Sequence, residues 1–262
     1  MIVKSRGDLM VKKLAIVNQK GGVGKSTTSV NLGACLAEQG NRVLLIDVDP
    51  QGNATSGLGL EKSELEQSIY DVLIEDTPVD EVVMTTDYES YNILPANIDL
   101  AGAEIELVSM ISRESKLKNA LKESETNYDF ILFDCPPSLG LLTLNALSAT
   151  HKILVPIQCE YYALEGLGQL MQTIKLVRNS LNPDLEIEGV VLTMYDARTN
   201  LSQQVIEEVK QHFGEKVYET IIPRNVRLSE APSFGQPIIE YASNSKGAKA
   251  YRKLAKEVKN NV

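Results

Sequence analysis

Residues 19–27 read Gln19-Lys20-Gly21-Gly22-Val23-Gly24-Lys25-Ser26-Thr27, and these residue types at this spacing could hold a polyphosphate. Glycines let consecutive backbone N–H groups turn inward around phosphate oxygens. Lys25 would reach the outer phosphates and the Ser26 hydroxyl would hold Mg²⁺. Gly21 to Gly24, with Val23, and then Thr27 complete the expected contact set. The usual pattern is G-x-x-x-x-G-K-[ST]. Here Gln19 stands where the first glycine would be, and Lys20 adds a second cation to the loop.

Carboxylates supply the complementary chemistry. The apolar run Phe130-Ile131-Leu132-Phe133 leads into Asp134, and Val43-Leu44-Leu45-Ile46 leads into Asp47-Val48-Asp49. An apolar strand ending in Asp has the form of a Walker B carboxylate, which holds Mg²⁺ through a coordinated water. Asp134 is therefore expected at magnesium. Strand alternation puts Asp47 and Asp49 on one face. Two carboxylates beside a triphosphate repel it unless they serve metal or water. Asp49 is expected to position the attacking water and Asp47 to join the magnesium shell, the competing reading being that one of them only caps the following turn.

These residues need elements to carry them. Apolar runs predict strands near 13–18, 42–47, 91–95, 129–134, 152–157, 187–194 and 217–222. Helices fit 26–39, 113–124, 163–181, 200–212 and 246–260. Leu164, Leu167, Leu170, Met171, Ile174 and Val177 recur at helical spacing and read as a packing stripe. Near-continuous apolar strands alternating with helices predict an α/β fold, a mostly parallel twisted sheet covered on both faces. Ligand chemistry in such sheets gathers at the C-terminal strand ends, where the loop and the three aspartates fall. No linker or repeat divides the chain, so residues 10–262 are read as a single domain. Residues 1–9 are read as an N-terminal extension or an upstream start.

The 262 residues are 43% hydrophobic, enough for a large core. Three cysteines, Cys35, Cys135 and Cys159, are too few and too odd for a disulfide framework, which points to a reducing, cytoplasmic setting. No apolar run reaches the length of about 18 residues that a membrane span needs, and residues 1–13 lack a secretory apolar core. Net charge is −9, the wrong sign overall for a nucleic-acid binder, yet residues 190–262 hold 11 Lys/Arg against 8 Asp/Glu. Within them Lys246, Lys249, Arg252 or Lys253, Lys256 and Lys259 line one helix face, beside an apolar stripe of Tyr251, Leu254, Ala255 and Val258.

Lys20 to Ser26, then Asp47-Val48-Asp49-Pro50-Gln51-Gly52-Asn53, then Asp134-Cys135-Pro136-Pro137, in this order, resemble the ParA/Soj branch of the deviant Walker A P-loop ATPases. The likeness continues through Cys159 to Gly166, Asp196 to Asn200 and Ile222 to Pro232, and covers roughly residues 10–260. The resemblance implies a chromosome-partitioning ATPase with ATP or ADP and Mg²⁺ as ligands. It implies an ATP-dependent homodimer in which Lys20 reaches the partner's phosphates, the logic of an arginine finger. Gly21 and Gly22 would permit that approach, and Pro223 and Asn225 would frame the adenine. It further implies binding to nonspecific double-stranded DNA through Arg198 and Arg227, with Lys246, Lys249 and Arg252 of the basic helix. A ParB-type centromere-binding partner would stimulate hydrolysis, and the replication initiator is a second implied partner. The place implied is cytoplasmic and nucleoid-associated, with no membrane.

Three other readings compete. An iron-protein-like redox ATPase would need Cys135 and Cys159 as cluster ligands. A MinD-like positioning ATPase would need an amphipathic C-terminal membrane helix, but Lys256 to Val262 lacks Leu, Phe and Trp anchors. A scaffold without hydrolysis is disfavoured by Lys20 and Asp49.

Overall fold

The computed structural model describes residues 11–161 and 163–261; the expected extension, residues 1–9, lies outside them. Among the described residues eight strands form one sheet: β1 (Lys12–Ile16), β2 (Val43–Asp47), β3 (Met84–Thr85), β4 (Tyr91–Leu94), β5 (Phe130–Asp134), β6 (Lys152–Gln158), β7 (Glu186–Tyr195) and β8 (Val217–Pro223). Their order is β3-β4-β2-β5-β1-β6-β7-β8. Every neighbouring pair is parallel except β3–β4. The helices in the first half are α1 (Lys25–Glu38), α2 (Asn53–Gly57), α3 (Ile69–Ile74), α4 (Val79–Val82), α5 (Leu100–Glu106) and α6 (Lys116–Ala120). Those in the second half are α7 (Leu141–Ala149), α8 (Leu167–Ser180), α9 (Asn200–Phe213), α10 (Val226–Glu230), α11 (Ile238–Tyr241) and α12 (Lys246–Asn261).

The apolar runs are continuous because both sheet faces are buried. Along β2, Leu44 and Ile46 enter one core while Val43 and Leu45 enter the other. In β5, Ile131 and Phe133 oppose Phe130 and Leu132 in the same way. Residues of α7, α8 and α9 fill the first core, and α1 and α12 cover the second. The stripe Tyr251, Leu254, Ala255 and Val258 is buried there, so the apolar face of α12 is spent on the sheet and is not offered to a bilayer.

Helix α1 sits close to β4 because Gly33 has no side chain. The buried Tyr91 ring occupies the space a Cβ would take, and its hydroxyl donates to the Val30 carbonyl at 3.1 Å. Gly33→Ala should therefore lower Tm by about 3–8 °C, because overpacking a buried contact outweighs the gain in helix propensity. A scanning-fluorimetry Tm equal to wild type would show that Tyr91 moves aside freely.

One expected helix is broken. Residues 113–124 form a short 3₁₀ turn, then α6, then turns. Buried Asn145 from α7 takes the backbone groups a continuous helix would use: its amide donates to the Arg113 carbonyl at 2.7 Å, and its oxygen accepts Leu117 N–H at 3.1 Å. The helix expected over 163–181 begins at Leu167, because Gly166 adopts φ 78 just before it.

Candidate functional site

The ends of β1, β2 and β5 meet in register: Ile16 pairs with Asp134, and Asp47 pairs with Asp134. The glycine loop leaves β1 at this point and turns into α1. Its two left-handed residues, Gly22 (φ 71) and Gly24 (φ 89), let the amides face inward. The result is a cleft of about 470 Å³ at the N-terminus of α1, where the helix's positive dipole end favours anions.

Gly21, Gly22, Gly24, Lys25, Ser26 and Thr27 line this cleft, and Asp49 faces them. Val23 is buried, and its carbonyl accepts the Thr193 hydroxyl at 2.8 Å, which pins the loop to β7. Lys25 Nζ donates to the Lys20 carbonyl at 3.2 Å. Burial lowers the Lys25 pKa, while Asp134 and Asp49 oppose the shift, so a phosphate anion would be a better partner for this ammonium than the carbonyl it now holds.

Asp134 is fully buried. Its Oδ1 accepts the Ser29 hydroxyl at 2.9 Å. Burial raises its pKa to about 6, and the Ser26 and Ser29 hydroxyls oppose that shift, yet Oδ2 completes no hydrogen bond among the described residues. An orphaned buried carboxylate oxygen beside the Ser26 hydroxyl is the donor set that a hydrated Mg²⁺ takes. The residues present fit that ion, which Ser26 and Asp134 would hold.

Asp47 does not fit the magnesium role. It is fully buried and does not line the cleft. Its Oδ2 accepts both the Thr55 amide and the Thr55 hydroxyl at 2.8 Å, and its Oδ1 accepts the Asp49 amide at 3.2 Å. Both oxygens are consumed in holding the turn that presents Asp49, so Asp47 is a positioning residue. Burial and the neighbouring Asp134 charge raise its pKa. Asp49 accepts the Gln51 amide at 2.9 Å through Oδ1.

Lys20 stands apart. It does not line the cleft of its own chain. Its Nζ reaches the Tyr161 carbonyl at 3.5 Å, and its backbone N–H donates to Asn18 Oδ1 at 2.9 Å. Around Gly21 and Gly22 nothing lies within 4 Å of an added Cβ, so this part of the loop is open rather than packed against the protomer.

Pro223 and Asn225, expected at the adenine, are not among the lining residues. Asn225 instead caps α10, its side chain accepting the Arg227 amide at 2.9 Å. The lining on this side comes from Met194, Pro232 and Gln236. Met194 holds φ 53, a strained setting for a residue with a side chain. Pro137 and Pro232 lie inside recognisable motifs, whereas Met194 and Gln236 carry no local signal. Next to the lining residues Gly57 and Gln236, Gly59 and Gly235 touch backbone to backbone, a Cβ on Gly235 falling 2.5 Å from the Gly59 Cα.

Of the expected DNA contacts, Lys246 and Lys249 are exposed. Arg198 is exposed and paired with Asp196 (Nη2 to Oδ2, 2.6 Å), and Arg227 pairs with Glu230 at 2.8 Å. Arg252 is a correction. Its guanidinium donates twice to Glu38 at 2.7 Å, and also to the Ser243 carbonyl and hydroxyl. It ties α12 to the end of α1, which occupies four of its five N–H groups and leaves little of the guanidinium for phosphate.

Cys135 and Cys159 are buried, and burial raises both thiols, Cys159 to about 12. A cluster shared between protomers needs its cysteines at the surface that meets the partner, whereas both of these side chains belong to the buried core, which opposes the iron-protein reading. Among the described residues no helix is long and apolar enough to cross a membrane.

Comparison with known proteins agrees with this geometry. The model of an AAA domain matches residues 11–187. The sporulation initiation inhibitor protein Soj of Bacillus subtilis is 64% identical over 249 residues, covering 95% of this chain and 98% of that protein. The chromosome partitioning protein ParA of Caulobacter vibrioides is 54% identical, covering 95% and 94%. Among solved structures, cobyrinic acid a,c-diamide synthase from Mycobacterium smegmatis, bound to an ATP analogue and magnesium, superposes with TM-score 0.87 at 43% identity, covering 96% and 95%. The cell division ATPase MinD of Pyrococcus furiosus gives 0.78 at 28% identity, covering 97% and 100%. A glycine loop with an outward lysine, an orphaned aspartate beside its serine, and these full-length likenesses place the chain in the Soj/ParA family of chromosome-partitioning P-loop ATPases.

Proposed function

We propose that this chain is an ATP-dependent, magnesium-requiring dimerising switch for chromosome segregation. The observation that carries the reading is the division of the loop: Lys25 lines the cleft of its own chain, while Lys20 does not and sits on the open side. A site lacking that cation in one protomer gains it when a second protomer brings its own Lys20 to the transferring phosphoryl group. Lys25 and the loop amides hold ATP or ADP, Ser26 and Asp134 hold Mg²⁺, and Asp49 positions the water. Hydrolysis to ADP and phosphate is slow until assembly completes the site. The relatives named Soj and ParA support partitioning as the setting.

In the dimer, Arg198, Arg227, Lys246 and Lys249 of both copies bind duplex DNA without reading its sequence, which makes the protein nucleoid-associated in the cytoplasm. Phosphate contacts dominate, so affinity falls steeply with salt. A ParB-type centromere-binding partner stimulates turnover and release, and the replication initiator is a second client of the switch.

Chromatographic mass with ATP and with ADP, with and without duplex DNA, tests the cycle. Asp49→Ala should keep ATP binding and accumulate dimers on DNA, with hydrolysis reduced by at least about 10²-fold. Normal turnover in that variant would remove Asp49 from the water.

A further inference from the structure

The segment bearing Arg227 also presents apolar groups to solvent. Val226 is 71% exposed and Phe234 is 65% exposed. Phe234 is not a loose surface side chain. Its ring stacks on Tyr241 with centroids 5.0 Å apart and planes at 28°. The Tyr241 hydroxyl donates to Glu230 Oε2 at 3.0 Å, and the same oxygen accepts Arg227 Nη1 at 2.8 Å. Ring, ring, carboxylate and guanidinium thus form one connected unit. The next residue, Gly235, is left-handed (φ 62) and packs on Gly59, which fixes where Phe234 can point. On the other flank, Gly247 has no side chain where Leu228 of α10 presses against α12. That contact brings the first turn of α12, with exposed Lys246 and Lys249, beside the Arg227 helix.

A rigid aromatic ring held in water and tied through Tyr241 and Glu230 to Arg227 is suited to a polyanion that also offers flat apolar surface. Duplex DNA does so through its sugar edges and base steps, where apolar side chains can lean or wedge next to phosphate contacts. Glu230 does not spoil the unit, because its charge is already engaged by Arg227 and Tyr241.

We propose that Phe234, braced by Tyr241, is an apolar DNA-contacting residue that packs on the sugar–base edge of the duplex beside the phosphate gripped by Arg227. The inference rests on the DNA-binding switch proposed above and adds a contact of a different physical kind. Phosphate contacts release counterions and set the salt dependence, whereas a ring on sugar or base releases none.

The two kinds separate in a salt series. Binding of a random-sequence duplex would be followed by fluorescence anisotropy, using the full chain loaded with a non-hydrolysable ATP analogue. Phe234→Ala should lose about tenfold in affinity at every salt concentration with an unchanged log–log slope. Arg227→Ala should flatten the slope by about 0.9. Phe234→Lys adds a cation while removing the ring, and should bind more weakly than wild type at high salt. Both Phe234 variants should keep the chromatographic mass of the ATP-analogue-loaded protein. The proposal is overturned if Phe234→Ala binds within twofold of wild type, if its slope shifts as that of Arg227→Ala does, or if Phe234→Lys binds better than wild type throughout. It is also overturned if Phe234→Ala keeps DNA affinity but loses co-sedimentation with phosphatidylglycerol vesicles, which would make the surface lipid-facing. A wild-type protein that ignores duplex DNA at every salt concentration would instead overturn the DNA-binding reading beneath it.

Discussion

Lys20→Ala should leave ATP binding within a few-fold of wild type and reduce stimulated hydrolysis by about 10³-fold or more, the scale on which a cation supplied in trans acts in phosphoryl transfer. Binding survives because Lys25 and the loop amides, not Lys20, line the cleft. The decisive measurement mixes two inactive proteins. A Lys20→Ala protomer keeps Asp49, and an Asp49→Ala protomer keeps Lys20. Each mixed dimer then holds one complete site, so an equimolar mixture should recover about a quarter of the wild-type rate. A mixture as inactive as its parents would place Lys20 in its own site. Gly21 sharpens the result. An added side chain there meets nothing within 4 Å in the protomer, so a valine should leave the monomer folded; because Gly21 also lines the cleft, ATP affinity is measured beside dimerisation, and dimers lost with ATP binding kept mark an approach from outside.

Asp134→Asn should raise the Tm of the nucleotide-free protein while reducing magnesium-dependent hydrolysis by at least about 10²-fold. Asp134 and Asp47 are register partners on adjacent strands, both fully buried. Burial comes first in raising both carboxyls, Asp134 to about 6 and Asp47 to about 8; the Asp134 charge adds to the shift of Asp47, and the Asp49 charge to that of Asp134. The folded state therefore holds protons that the unfolded chain has released above about pH 4. Stability is consequently lost as pH rises from there toward about 8. Asparagine removes one of the two charges and keeps an oxygen for the Ser29 hydroxyl. The Tm gain should accordingly be larger at pH 8 than at pH 6, by a few degrees. The same change turns the orphaned oxygen, or its twin, into an amide that cannot hold a metal-bound water as a carboxylate does. A Tm that falls at both pH values would show that the pair is already relieved by other groups.

The site was legible in the sequence wherever chemistry and local backbone coincide. The glycine loop, Ser26, Asp49 and Asp134 each sit within a few residues of a strand end, so pattern and position agree. Asp47 was misjudged because its partner Thr55 lies eight residues on, and nothing in the spacing distinguishes a buried acceptor from a metal ligand. Arg252 was misjudged for the same reason at longer range, since Glu38 is 214 residues away. The seven main strands fall within a residue or two of expectation. The two-residue β3, the short helices α2, α3, α4, α5, α10 and α11, and the longer helix α7 are absent from the expectation. Nearly all of α7 is buried, so it lacks the polar face that makes a helix visible. Met194 and Gln236 reach the cleft only through the packing of β7 and of the loop before α11.

The strand order also bears on how the protein is made. Among the described residues β1 is the first strand to leave the ribosome, yet both of its neighbours, β5 and β6, are encoded more than a hundred residues later. At ordinary elongation rates the nascent glycine loop waits roughly 6–25 s for its flanks. Until then an apolar ribbon has both edges open, which makes early synthesis the interval in which chaperone capture matters most for this chain.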